Sequence, residues 1–228
     1  MGESTSDYLV HHINPVIAVI IGAFGFAIAI ALQFLTKKYI AWVYWLAVMM
    51  VAVFGTMAAD VVHIVLGVPY LISTIVFATL LIIVFTLWHK IEHSLSIHSI
   101  TTPRREFFYW LTVGVTFALG TAVGDMTAMT FHLGYLNSGI LFAFLFALPL
   151  LFNRMFHTNE VTTFWASYVV TRPIGASFAD WFGRTQDLGG IGFGTGRTSI
   201  VLTVFIILFV VYLTITKADT KNAHQLHL

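Results

Sequence analysis

Three aspartates stand at matching places in a very apolar chain: Asp60, Asp125 and Asp180. Each follows a tryptophan by fifteen residues, Trp45, Trp110 and Trp165, and the pattern W-x9-G-[TA]-x3-D repeats three times without a gap. Gly55, Gly120 and Gly175 hold the glycine position, and Thr56, Thr121 and Ala176 follow them. On a helix the residues seven, eleven and fifteen after the tryptophan share one face. The third copy puts Arg172 on that face. Three carboxylates and one guanidinium sum to −2 when ionised, which matches one divalent cation or two protons. Oxygen ligands without cysteine favour manganese, calcium or magnesium over copper. The candidate ion site is therefore Asp60, Asp125, Asp180, Arg172, Thr56 and Thr121. His63, three residues past Asp60, joins the three aspartates as a candidate metal ligand.

A plainer role competes at each position. The aspartates could accept from the free N–H groups at the start of the next helix, with Arg172 as a buried clamp. His63 and His132 could instead ligate a haem, giving a haem- or quinone-binding electron carrier, or could be polar residues of an interface. His89, His93 and His98 lie in one polar loop, which reads as metal-collecting or simply solvated. Met57, Met126 and Met129, near the aspartate level, could be soft ligands, with core filling as the default expectation. The run GGIGFGTGRTS has no strand before it, so it is read as a flexible external loop that ends in a Thr198/Ser199 helix cap, not as a phosphate loop. No nucleophile–base pair is visible, so catalytic residues and enzyme activity are not expected.

The elements that carry these residues follow from composition. The chain has 228 residues, of which 58% are hydrophobic and 9% charged, against about 25% charged in a soluble domain. That places it in a lipid bilayer as an all-α polytopic protein. The net charge of +1 gives no footprint for nucleic acid, and zero cysteines exclude disulfides and thiolate sites. A bilayer span needs about 20 apolar residues. Seven runs qualify, 13–35, 42–66, 70–88, 107–133, 136–155, 161–182 and 198–216.

Lys37, Lys38, Lys90, Arg104, Arg105, Arg154, Lys217 and Lys221 fall on one side of that topology, and Arg184 and Arg197 on the other. The bias places the N-terminus outside and the C-terminus in the cytoplasm. Residues 1–12, acidic at Glu3 and Asp7 and without Lys or Arg, read as an external tail and not as the basic front of a signal peptide. Residues 13–217 form one transmembrane domain, with repeat units at about 42–90, 107–155 and 161–216, and 218–228 a cytoplasmic tail. Each unit is a Trp–Asp helix, a turn and a plainer second helix. Two spans per unit make the repeats parallel, with a ligand site at their interface. The first run reads as a lone second helix without its partner. The tryptophans, close after the cytoplasmic loops, are expected at the inner interface. The aspartates lie about 22 Å further along the axis.

The tandem two-helix units and the phrases RREFFYWLTVGVTFALGTAVGD and FWASYVVTRPIGASFADWFG resemble a family of bacterial integral membrane proteins catalogued as a repeat of unknown function. The resemblance covers about residues 40–215. That family is usually described with four repeats, where this chain shows three and a half. The resemblance implies architecture and a bacterial inner-membrane location, and no chemistry. The residues themselves point to a small transporter of a cation, either a divalent metal or a proton-coupled ion, which could assemble as a homo-oligomer. A non-transporting scaffold or sensor is the remaining alternative.

Overall fold

The computed structural model describes residues 1–36 and 38–218. Lys37, Lys221 and the tail from 219 lie outside the described residues, and the sidedness assigned to them rests on sequence alone. The described residues form eight α-helices and no strand: α1 Gly2–His12, α2 Pro15–Leu35, α3 Ala41–Asp60, α4 Tyr70–Glu92, α5 Pro103–Asp125, α6 Tyr135–Phe156, α7 Glu160–Gly183 and α8 Thr195–Thr216. Six helices are long and apolar enough to cross a membrane, α2, α3, α4, α5, α6 and α8. The run at 161–182 does form a helix, the 24-residue α7. It is not one of the six, because it carries Glu160, Arg172 and Asp180 among several serines and threonines.

Local chemistry sets the boundaries. Asn14 accepts from the N–H of Val16 at 3.0 Å and Pro15 opens α2. Thr102 and Pro103 start α5 the same way, and Asn159 caps α7. Such caps satisfy N–H groups that the first helical turn leaves free. Asp60 and Asp125 each end the α-helical part of their segment. One π turn follows each, Val61–Val65 and Met126–Thr130. A π turn inserts a residue into the helix and often marks a functional position. In the third copy α7 runs through Asp180 to Gly183 without one.

The helices form two rings. The inner helices touch in sequence, α1 on α3, α3 on α5, α5 on α7, and α7 back on α1. The outer helices α2, α4 and α6 pack on α3, α5 and α7, and α8 packs on α1. Each outer helix thus leans on the inner helix of the following pair more than on its own. Central α5 is the most enclosed of the six candidate spans, and α8 turns almost all of its apolar surface outward.

One sequence expectation changes here. Residues 1–12 are not a tail: they are helix α1, and Gly2, Glu3, Ser4, Ser6 and Asp7 are buried. The tryptophans pack between the helices. Trp110 and Trp165 are buried with Trp88, Phe108 and Tyr109 in an aromatic core. The Trp165 indole donates to the carbonyl of Leu95 at 2.9 Å, and the hydroxyls of Tyr44 and Tyr109 meet at 2.6 Å. Aromatic rings stacked between helices bury more apolar area there than they would at a lipid boundary.

Candidate functional site

The repeat pattern becomes a packing register. A Cβ placed on Gly55 would lie 2.6 Å from Cβ of Phe117, and one on Gly120 would collide with Cβ of Arg172. Phe117 and Arg172 each stand seven residues after the tryptophan of the next copy. The glycine at position ten of one copy therefore seats position seven of the next. Gly2 continues the series, since its Cβ would lie 2.6 Å from Cβ of Ala52, again position seven. With Gly2 in the glycine register, Glu3 falls at the Thr56/Thr121 position and Asp7 at the aspartate position. The stretch G-E-x3-D at residues 2–7 repeats G-[TA]-x3-D, so α1 is the acid-bearing end of a further copy.

This register gathers the polar groups around α1. The Glu3 carboxylate, 6% exposed, accepts from Thr121 Oγ1 at 2.9 Å and Thr56 Oγ1 at 3.1 Å, and the two hydroxyls lie 3.3 Å apart. Ser6 Oγ donates to Asp60 Oδ2 at 3.2 Å. Thr5 Oγ1 meets Ser199 Oγ at 2.5 Å. Arg184 lies with Nη2 3.4 Å from Asp7 Oδ2 and Nε 3.2 Å from Asp180 Oδ1. Asp180 is 2% exposed and Asp125 5%. Among the described residues no hydrogen bond or ion pair reaches the Asp125 carboxylate. None of the three repeat aspartates accepts from a backbone N–H of the following helix either, so the hairpin-cap role is not what they do.

Glu3 and Asp7 belong to a helix too short to span a bilayer. Burial pushes the Glu3 carboxyl well above its ordinary range, and the charges of Asp180, Asp60, Asp7 and Asp125 push the same way. Burial also raises Asp7, partly offset by Arg184 and His11. Removing a carboxylate from water disfavours its charged form, and like charges nearby add to that.

Arg172 does not take the part expected of it. Its guanidinium lies over the rings of Phe117, 3.9 Å from the centroid, and Tyr168, 4.3 Å away. Its Nε is buried without a partner. Position seven lies eight residues from the aspartates, about 12 Å along the axis, too far for the side chain to reach them. Arg184, four residues after Asp180 and on the same face, does reach them. The glycine-rich loop holds it there. Ile191, Gly192 and Phe193 donate to the carbonyls of Trp181, Arg184 and Phe182 at 2.8, 2.9 and 3.1 Å. The loop is therefore fastened back onto the end of α7. Helix α8 begins at Thr195 with Gly194 as its cap, ahead of the expected Thr198/Ser199.

The nitrogen and sulfur candidates are elsewhere. His63 Nδ1 lies 3.1 Å from the carbonyl of Val68, Ser73 Oγ lies 3.2 Å from its Nε2, and its ring packs on Tyr70 at a tilt of 40°. These contacts tie the turn between α3 and α4. His132 is exposed, with φ of 55°. Met57 is wholly buried against Gly22, while Met129 is largely exposed. Among the described residues no three His, Asp or Glu side chains are placed to share a metal ion. Asp60, Asp125, Asp180 and His63 are thus not a ready-made metal centre, and His89, His93 and His98 are not one either. A cavity of about 410 Å³ lies between α2, α3, α4 and α5, but its lining is apolar and none of the acids borders it.

Of the sequence candidates, Thr56 and Thr121 meet Glu3, Asp60 meets Ser6 and Asp180 meets Arg184. Sequence reasoning did not single out Glu3, Asp7 or Arg184 as site residues. The signals were present: the six-residue echo at 2–7, and the i, i+4 spacing of Asp180 and Arg184.

One family profile, described as Repeat of Unknown Function (DUF347), matches residues 43–94, 108–157 and 163–219. The matches cover most of the chain, and the chain belongs to this family. They correspond to the pairs α3–α4, α5–α6 and α7–α8, and leave α1 and α2 outside. No curated protein and no solved structure matches the chain.

Proposed function

We propose that this member of the repeat family is a small membrane transporter of a cation, using protons as the coupled or carried charge. The observation that carries the proposal is the set of five carboxylates, Glu3, Asp7, Asp60, Asp125 and Asp180, brought by α1, α3, α5 and α7 against one guanidinium, Arg184. Acidic groups inside a membrane bundle are costly and mark ion or proton pathways. A bundle that needed acids only for packing would pair each one, and among the described residues no hydrogen bond or ion pair within 4 Å reaches Asp125. The acids are spread around a ring instead of meeting at three-ligand distance, which favours traffic in single positive charges over tight capture of a divalent ion.

In this proposal α7 also crosses the membrane, its polar face kept from lipid by α5, α6 and α1. The glycine-to-position-seven register supports parallel copies around one axis. The N-terminus is outside, and the bilayer is a bacterial inner membrane.

The test is flux of protons, manganese, calcium and magnesium into liposomes holding the purified protein, under an imposed pH gradient or potential. Asp60→Asn, Asp125→Asn and Asp180→Asn keep side-chain size but cannot ionise, so each is expected to abolish flux. Asp125→Asn should leave the melting temperature closest to the parent's, because among the described residues Asp125 has no hydrogen bond or ion pair to lose. A parent protein that moves none of these ions ends the transporter reading. Variants that unfold instead of losing flux make the carboxylates structural.

A further inference from the structure

We propose that Glu3 is the group that binds and releases the carried proton, from a seat made by Thr56 and Thr121 at the centre of a four-membered ring of repeat copies. The inference rests on the transporter reading above and names its central residue.

Inner helices α1, α3, α5 and α7 close on one another, and Gly2, Gly55 and Gly120 each seat position seven of the following copy. Gly175 meets nothing within 4 Å. Equivalent residues of the four copies therefore lie in layers. One layer holds Asp7, Asp60, Asp125 and Asp180. The next holds Glu3, Thr56, Thr121 and Ala176. Below it, position seven contributes Ala52, Phe117 and Arg172. A residue in the second layer stands between an acidic mouth and an aromatic plug, where Phe117 and Tyr168 cover the Arg172 guanidinium.

Glu3 is the one acid of the second layer. Its Oε2 takes both threonine hydroxyls, and Oε1 takes no hydrogen bond among the described residues, leaving a lone pair for a proton. The surrounding charges are Asp7 and the Met1 amino group on its own helix, Asp60 on α3, Asp125 on α5 and Asp180 on α7. These acids attract a proton toward the mouth, and the two hydroxyls steady the carboxylate once the proton leaves. A second, independent feature points to a mobile occupant here. The buried hydroxyls of Ser4, next to Glu3 in sequence, and Ser177, 3.6 Å from a Cβ placed on Gly124, have no hydrogen-bond partner among the described residues, and no hydrogen bond or ion pair within 4 Å reaches Asp125, 5% exposed, among them. Buried polar atoms without partners are rare unless water or an ion serves them. In transport, a proton from water on the aspartate side would bind Oε1 and then be released to water on the opposite side, which regenerates the carboxylate.

The test uses the full chain in liposomes with a trapped pH dye and a potassium–valinomycin potential. The parent should acidify the lumen faster than protein-free liposomes. Glu3→Gln should fall to the protein-free rate while keeping its helical circular dichroism. Infrared difference spectra across a pH titration should show a protonated-carboxyl band in the parent that is absent in Glu3→Gln. Thr121→Val, which strips one hydroxyl from the carboxylate, should move the midpoint of that band to higher pH. Parent-like flux in Glu3→Gln overturns this inference and leaves the transporter reading standing. No flux from the parent overturns both. If Glu3→Gln does not fold, the infrared midpoint decides, and an unchanged midpoint in Thr121→Val overturns the seat.

Discussion

A guanidinium in an apolar bundle persists only where something offsets its lost hydration, and the two arginines of the third copy meet that need differently. Arg184 faces two buried carboxylates, Asp7 and Asp180. Arg172 lies on two aromatic rings instead, and the Nε of both arginines is buried without a hydrogen bond among the described residues. Removing one side of a buried ion pair costs about 3–5 kcal/mol, so Arg184→Leu should lower the melting temperature markedly. Cation–π contacts contribute about 0.5–2 kcal/mol, so Arg172→Leu should change stability less. Thermal unfolding in detergent compares them, and a larger loss from Arg172→Leu would contradict the assignment. The Arg184→Leu deficit should shrink as pH falls. With its positive neighbour gone, Asp7, already raised by burial, holds a proton in the folded state at a pH where the unfolded chain has released it. Stability then rises on acidification.

At the scale of elements, α1 is the piece whose placement matters most. It is eleven residues long, too short to span a bilayer. Its buried face is Glu3, Ser4, Ser6 and Asp7, which no lipid-facing helix would tolerate. Its contacts reach α3 through Ser6 and Asp60, α5 through Glu3 and Thr121, and α8 through Thr5 and Ser199. The chain contains no cysteine, which permits a clean test. Thr5→Cys combined with Ser199→Cys should form an intramolecular disulfide on mild oxidation, visible as a cross-linked peptide by mass spectrometry, because the two hydroxyls stand 2.5 Å apart. Cysteine pairs bridge only when their Cβ atoms approach within about 4.5 Å. Failure to cross-link would mean that α1 does not occupy the bundle. The π turns after Asp60 and Asp125 act at the same scale. Each ends the regular helix at its carboxylate, while α7 stays regular and brings Arg184 round to Asp180.

For the whole molecule, the ring predicts that equivalent glycines are not equally replaceable. Gly120 seats Arg172 so closely that any Cβ would strike it, whereas Gly175 faces open space. Overpacking a tight contact costs about 1–3 kcal/mol, and changes at open positions stay within about 0.5 kcal/mol. Gly120→Ala should therefore lower thermal stability while Gly175→Ala leaves it near the parent's. Equal effects in the two would argue against the ring. The arrangement also explains why the outer helices carry so little chemistry. Each packs on the inner bundle with one face and offers an apolar surface to lipid with the other, as the exposed Ile200, Phe205, Leu208 and Phe209 of α8 do.

The sequence by itself determined the helical class, the bilayer setting, the repeat and its family, and the identities of Asp60, Asp125, Asp180, Thr56 and Thr121 as the residues to watch. Those features depend on hydropathy and on spacing along one chain, and spacing survives without coordinates. Tertiary structure decided the rest. That Glu3 bonds both threonines links residues 53 and 118 positions apart, and no local pattern specifies which helix completes the ring. Composition marks Arg172 as the costliest charge, yet only packing shows that rings cover it and that Arg184, from a loop read as external, supplies the counter-charge. His63 stands near Asp60 in sequence, but the π turn carries its ring to Ser73 and Val68. Side-chain direction at a helix end depends on how the next element docks, and that is a property of the folded bundle.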